Sequence, residues 1–305
     1  MPLSFHHLTS AHQITKADAD SLLKTCVEME EILTKKGHND MLHGKVLASL
    51  FYEPSTRTRL SFETAMLRLG GQVITADGLQ FSSMYKGESI EDSIKVIGGY
   101  ADIIAMRHPE AGSADKAAAV SPVPFINAGD GPNQHPTQGL LDLLTIQKEC
   151  GRFDGLKIAV VGDLKFGRTA QSMALLLSLY ENVEFTFIAP PQLPMPSKIT
   201  DALKEKNLSF SETTEMEQAF DCDVIYMTRV QKERFEDQAE YEKLKDVYVL
   251  RAEHLKGKKA VVMHPLPRVV EIATDVDALP NAAYFRQAHN GLVMRMALIR
   301  HMFNV

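Results

Sequence analysis

Residues 45–71 read KVLASLFYEPSTRTRLSFETAMLRLGG, and the fold turns on what joins the two ends of that stretch. Lys45 to Phe51 is an apolar run bounded by polar signals and long enough for a buried strand. Phe62, Ala65, Met66 and Leu69 recur at helical spacing, and Gly70-Gly71 stops the pattern. PSTRT therefore occupies a strand-to-helix turn. The first backbone N–H groups of a helix lack partners within it and the dipole is positive there, so Ser, Thr and Arg at this turn build a site for an anion, most naturally phosphate. The plainer alternative has Ser55 or Thr56 as a simple N-cap and the arginines solvated.

Working outward, strands and helices alternate from residue 45 to about 130. VLASLFY, QVITA, DIIAMRH and PFINAG read as strands, with helices after STRT, after Gly87 and after Ser113. A long amphipathic helix from about His135 to Cys150 leads into GRFDGL, which reads as a junction. Alternation then resumes with KIAVVGD, VEFTFIA, DVIYMTR and AVVMHP, interrupted by a proline-rich turn, PPQLPMP, at 190–196. The last stretch, Ala283 to Phe303, is apolar at helical spacing. The expected fold is α/β: two doubly wound parallel-sheet domains, 1–135 with a returning C-terminal helix 286–305, and 150–285. Ligands of such sheets bind at the carboxyl ends of the strands, and the cleft between two such domains is the expected active site.

The 305 residues suffice for two ordinary domains, and 45% hydrophobic with 24% charged residues describes a soluble globular chain. A formal charge of -6 argues against a nucleic-acid or anionic-membrane partner, so any phosphate site must be local. Cys26, Cys150 and Cys222 are far apart and lack C-x-x-C spacing, which disfavours a disulfide framework or zinc site. MPLSFHHLTS lacks the form of a signal peptide and no run of about 18 apolar residues occurs, so the expected location is cytoplasmic, with no membrane partner.

Polar clusters fall at the strand ends: STRT, Arg107-His108, NQHPTQ, LKFGRT, TRVQKER and HPLPR. Loading one edge of two sheets with cations suits a multiply anionic substrate. GDLKFGRT matches the phosphate-loop pattern with Arg168 in place of lysine, which makes a nucleotide-binding ATPase the runner-up. Against it, no later apolar strand ends in an aspartate placed for magnesium. G-x-G-x-x-G is absent, metal-ligand spacings are absent, and no Ser or Cys has the partners for covalent catalysis; no cofactor is expected. His135 and His264 each precede proline, and on position alone each is open to a structural or a functional reading.

Taken in order, FYEPSTRTRLSFETAMLRLGG, MRHPE, NAGDGPNQHPTQGLLDLLTI, GDLKFGRT, YMTRVQKER and MHPLPR resemble the transcarbamoylases. HPTQ and HPLPR are similar to the aspartate-using branch, where ornithine enzymes typically carry a cysteine in each place. The resemblance implies transfer of the carbamoyl group from carbamoyl phosphate to L-aspartate, without a metal or a covalent intermediate. It implies that Ser55, Thr56, Arg57 and Thr58 hold the phosphate, and that Thr58, Arg107 and His135 point donors at the carbamoyl oxygen. Gln138 and the backbone carbonyls of Leu266 and Pro267 are implied to orient the carbamoyl NH2, while Arg168, Arg229 and Gln231 hold the aspartate carboxylates. Ser82 and Lys86 are implied to reach a neighbouring subunit's site, making a homotrimer with shared active sites. A regulatory chain is a possible further partner.

Three other readings stay in view: an inactive anion-binding relative serving as a scaffold, the ATPase, and transfer to ornithine. Lys86 and Gln231 are both present, which weighs against a binding-only protein. Val270 stands before Glu271 where the family often has an acidic residue, and Glu53 is available to pair with Arg107 and steer it.

Overall fold

The structure, a computed structural model, describes residues 2–235 and 237–305, apart from the side chains of Phe81 and Glu233. It divides into two compact units, 1–141 with 289–305, and 142–288.

The first unit begins with α1 (Lys16–Lys35), an element ahead of the stretch in which alternation was read. A capping box starts it: Thr15 accepts from the Asp18 amide while Asp18 accepts from the Thr15 amide. Then follow β1 (Val46–Phe51), α2 (Thr56–Arg68), β2 (Gln72–Asp77), α3 (Ile90–Ile97), β3 (Ile103–His108), α4 (Ser113–Val120) and β4 (Phe125–Asp130). The sheet order is β2-β1-β3-β4 and every pair is parallel. β1 is buried almost throughout, and so is β4, whose outer side pairs with Leu8 through Leu8 N to Phe125 O and Asn127 N to Leu8 O; β2, at the other edge, keeps polar and exposed positions.

α5 (Pro136–Cys150) precedes the second sheet, made of β5 (Lys157–Val161), β6 (Glu184–Ile188), β7 (Phe210–Thr213), β8 (Val224–Met227) and β9 (Val261–Met263). Its order is β7-β6-β5-β8-β9, again all parallel, with α6 (Arg168–Leu177), α7 (Ser197–Glu205) and α8 (Gln238–Leu244) between strands. β7 is an addition to the expected strands. It is a four-residue edge strand, half exposed along its length, and so lacks the apolar run that marks the others.

The unit boundaries fall inside helices, at Leu141 in α5 and at His289 in α9 (Tyr284–Met302). From His289 onward α9 belongs to the first unit. Arg295 lies 4.9 Å over the Phe62 ring, and His301 Nε2 meets Thr25 Oγ1 at 2.8 Å. No helix among the described residues is long and apolar enough to cross a membrane.

In each sheet the strand order reverses once, between β1 and β3 in the first and between β5 and β8 in the second. Crevices open at such switch points beyond the carboxyl ends of the strands. Phe62 is fully buried at the α2 face and supports the first of them. Phe62→Ala is expected to lower unfolding free energy by about 3–5 kcal/mol, read from denaturant midpoints; a loss under about 1 kcal/mol would show that the α2 packing does not depend on this ring.

Candidate active site

At the first switch point Ser55 takes the N-cap position of α2 in an extended conformation, φ −159°, but makes no side-chain capping bond. The capping alternative for Ser55 therefore does not hold. Its hydroxyl instead receives Arg107 Nη1 at 3.4 Å. Arg107 closes β3 and donates Nε to Glu53 Oε2 at 3.0 Å, so the expected steering by Glu53 is present. Arg57 lies on the same helical turn, and partial burial followed by the charge of Arg107 lowers its pKa. Two cations and a helix N-terminus share one place, an arrangement that an incoming anion relieves.

Thr58, one residue further, is buried, and its Oγ1 lies 3.4 Å from Nε2 of the equally buried His135. A carboxylate that was not singled out from sequence holds the loop that carries this imidazole. Asp130, fully buried at the end of β4, accepts from Gln134 N at 3.0 Å, Gly112 N at 2.9 Å, Asn127 Nδ2 at 2.9 Å and Asn133 Nδ2 at 3.0 Å. The loop before α5 is thus wound around one anion. The Gln138 amide continues it by donating to His135 O at 3.0 Å, and the Gln138 side chain is largely buried. The sequence signal for Asp130 is the turn chemistry of NAGDGPN, where Asp and Asn satisfy backbone donors.

Ser82 and Lys86 lie on the connection from β2 to α3. The Ser82 hydroxyl accepts the Met84 amide at 3.1 Å, and Lys86 is exposed at the end of the short turn Ser83–Lys86.

In the second unit the β5 to α6 loop carries Arg168 at the first position of the helix. Gly162 adopts φ +118°, and an added Cβ there would collide with Thr228 O. Close approach of the β5 and β8 exits follows from that glycine. Asp163, fully buried, bridges them: Oδ1 accepts from Phe166 N at 2.9 Å and Oδ2 from Gln231 N at 3.3 Å, while Thr228 Oγ1 donates to its carbonyl at 3.3 Å. Gln171 Nε2 donates to Leu164 O and Lys165 O at 3.1 and 3.0 Å and pins the rest of the loop. Arg168, Arg229 and Gln231 are thereby placed on two adjoining loops, and Arg229 Nη1 donates to Val230 O at 3.3 Å.

After β9, Leu266 holds a left-handed φ of +56°, costly for a leucine, and the Leu266-Pro267 bond is cis. Buried polar groups hold this turn. Leu266 N–H donates to His264 Nδ1 at 2.7 Å, which assigns the proton of the neutral ring to Nε2, facing Glu271 Oε1 at 2.7 Å. Glu271 Oε2 accepts from the amides of Val269 and Val270 at 3.1 and 3.0 Å. Only the Val270 amide is used here, so the valine side chain in place of an acidic residue leaves the turn intact. Arg268 is a structural residue: it is paired with Asp277 and lies 5.2 Å over the Tyr284 ring.

Burial lowers the His264 pKa from 6.5, outweighing Glu271, with Arg229 and Arg268 acting in the same lowering direction. The Glu271 carboxyl meets a burial cost that would raise its pKa, but the His264 and backbone hydrogen bonds leave it lowered. Because the unfolded imidazole binds a proton more readily, stability is expected to fall as pH drops below 6.5, until the folded pKa is reached. His264→Asn keeps an acceptor for the Leu266 amide but cannot titrate. Urea midpoints from pH 7.5 to 5 should therefore slope less in this variant; identical slopes would remove His264 from the pH response.

Residues 6–148 match the family model described as aspartate/ornithine carbamoyltransferase, carbamoyl-P binding domain, and residues 154–302 match its Asp/Orn binding domain. The chain is 55% identical over 295 residues to the aspartate carbamoyltransferase catalytic subunit of Methanocaldococcus jannaschii, covering 96% of each chain. It superposes on the crystal structure of that organism's aspartate transcarbamoylase catalytic subunit with a TM-score of 0.92, at 54% identity and 98% coverage of both chains. The Trypanosoma cruzi aspartate transcarbamoylase in complex with carbamoyl phosphate and aspartate superposes with a TM-score of 0.90 at 38% identity, covering 96% of this chain and 95% of that one.

Proposed function

The chain belongs to the aspartate/ornithine carbamoyltransferase family, and from that premise we propose how its residues share one reaction. It transfers the carbamoyl group of carbamoyl phosphate to the amino group of L-aspartate, giving N-carbamoyl-L-aspartate and phosphate. The observation that carries the assignment of roles is the meeting of Thr58 with His135 beside Arg107, itself steered by Glu53, at the N-terminus of α2.

The amides of the first turn of α2, with Ser55, Thr56, Arg57 and Thr58, take the phosphate. Thr58, Arg107 and His135 direct donors at the carbamoyl oxygen, where negative charge grows as the amine attacks. The tetrahedral species collapses by breaking the bond from carbon to the phosphate oxygen, and the departing phosphate accepts the proton lost by the amine. Gln138 and the carbonyls of Leu266 and Pro267 hold the carbamoyl NH2, the latter two presented by the turn that His264 and Glu271 fix. Arg168, Arg229 and Gln231 bind the two carboxylates of aspartate. An amino acid with one carboxylate leaves a desolvated cation unmatched, so ornithine is rejected by cost.

Ser82 and Lys86 are assigned to the site of a neighbouring copy, which makes the active unit a homotrimer; the exposure of Lys86 supports this. The relatives are named as catalytic subunits, which supports a regulatory chain as a further partner. The reaction is placed in the cytoplasm, in pyrimidine biosynthesis.

The deciding assay follows N-carbamoyl-L-aspartate formed from carbamoyl phosphate and L-aspartate with a chelator present, and L-ornithine run in parallel. Product from aspartate alone is expected; product from ornithine instead would reverse the specificity. Arg229→Ala should abolish aspartate use while leaving carbamoyl phosphate binding intact, and equal loss of both would contradict the division of roles.

A further inference from the structure

Arg59 ends the first turn of α2, Glu63 stands one turn further along, and neither has a part in the roles above, yet together they join the start of the helix to both neighbouring strands. Arg59 Nε donates to Glu63 Oε1 at 3.1 Å, and its Nη1 donates to Asp77 Oδ2. The same Glu63 oxygen accepts from Ser49 Oγ at 3.0 Å and Thr75 Oγ1 at 3.1 Å. Ser49 and Thr75 are register partners in β1 and β2, so one carboxylate oxygen spans the strand pair from the helix side. Asp77 is the last residue of β2. Immediately after it Gly78 turns at φ +84° and donates its amide to Phe51 O at 2.8 Å, and the chain enters the segment that carries Ser82 and Lys86.

The exposures separate stability from geometry. The link from Arg59 to Asp77 is open to water, at 29% and 52% side-chain exposure, and such a pair stabilises a fold little, whereas Glu63, 17% exposed, is better sheltered. Apolar packing by Phe62, Ala65 and Met66 already seats α2 on the sheet. What the polar link adds is a fixed distance between the anion-binding end of the helix and the strand exit beside it.

We propose that Arg59 and Glu63 are positioning residues that lock the first turn of α2 to the carboxyl end of β2. They thereby set two things together: the phosphate-binding amides, and the point from which the Ser82 and Lys86 segment departs. The proposal rests on the reading of α2 as the carbamoyl phosphate site.

Its test uses the full chain with Arg59→Met, Arg59→Lys and Glu63→Gln. Calorimetric binding of inorganic phosphate is measured beside KM for each substrate, kcat and the unliganded melting temperature. Arg59→Met should weaken phosphate and raise KM for carbamoyl phosphate by roughly tenfold to a hundredfold, with KM for aspartate unchanged. Arg59→Lys should recover part of the loss, and Glu63→Gln should shift the same two quantities in the same direction. Unchanged phosphate affinity and KM alongside a lowered melting temperature would reduce the network to fold stabilisation and overturn the proposal. Wild-type protein that binds phosphate but forms no carbamoyl-aspartate would defeat the reaction reading instead, and phosphate affinity in the variants would still decide the positioning role.

Discussion

Every strand pair in both sheets is parallel, and the chemistry depends on that constraint. Parallel strands all end at the same edge, so the loops that leave them are gathered there whatever their order in sequence. STRT after β1, Arg107 at the end of β3 and His135 after β4 are separated by dozens of residues but converge at one sheet edge. The same holds for Arg168 after β5 and Arg229 after β8. An antiparallel arrangement would send alternate loops to opposite edges, and no such convergence would follow.

Convergence brings an electrostatic cost. Arg57 and Arg107 lie close enough for the charge of one to lower the pKa of the other, and both sit where the helix dipole is already positive. Glu53 offsets this by accepting from Arg107 Nε, while Nη1 turns toward Ser55. A carboxylate on one side of the guanidinium orients it and partly balances its charge.

Most strands, the first unit's helices from α2 onward and the strand-end clusters were legible because hydrophobic runs and turn residues state them locally; α1, ahead of the alternating stretch, was not. β7 was not either, since a four-residue edge strand with no buried position has no apolar run to mark it. Nor were the duties of Asp130 and Asp163. Each sits in a glycine-rich turn, where an aspartate commonly bonds nearby backbone, and nothing local reveals that it is buried. His264 was visible as a histidine before proline, but its bond to the Leu266 amide depends on a left-handed leucine that no residue preference predicts. The family resemblance supplied what periodicity could not: the roles proposed for Ser82 and Lys86.

Buried carboxylates hold the loops at the strand ends. Asp130, Asp163 and Glu271 all accept backbone amides, and Asp130 adds two asparagine side chains. Amide donors stabilise a buried carboxylate by hydrogen bonding without bringing a full positive charge. The three carboxylates thus shape the loops that carry His135, Arg168 with Gln231, and Leu266.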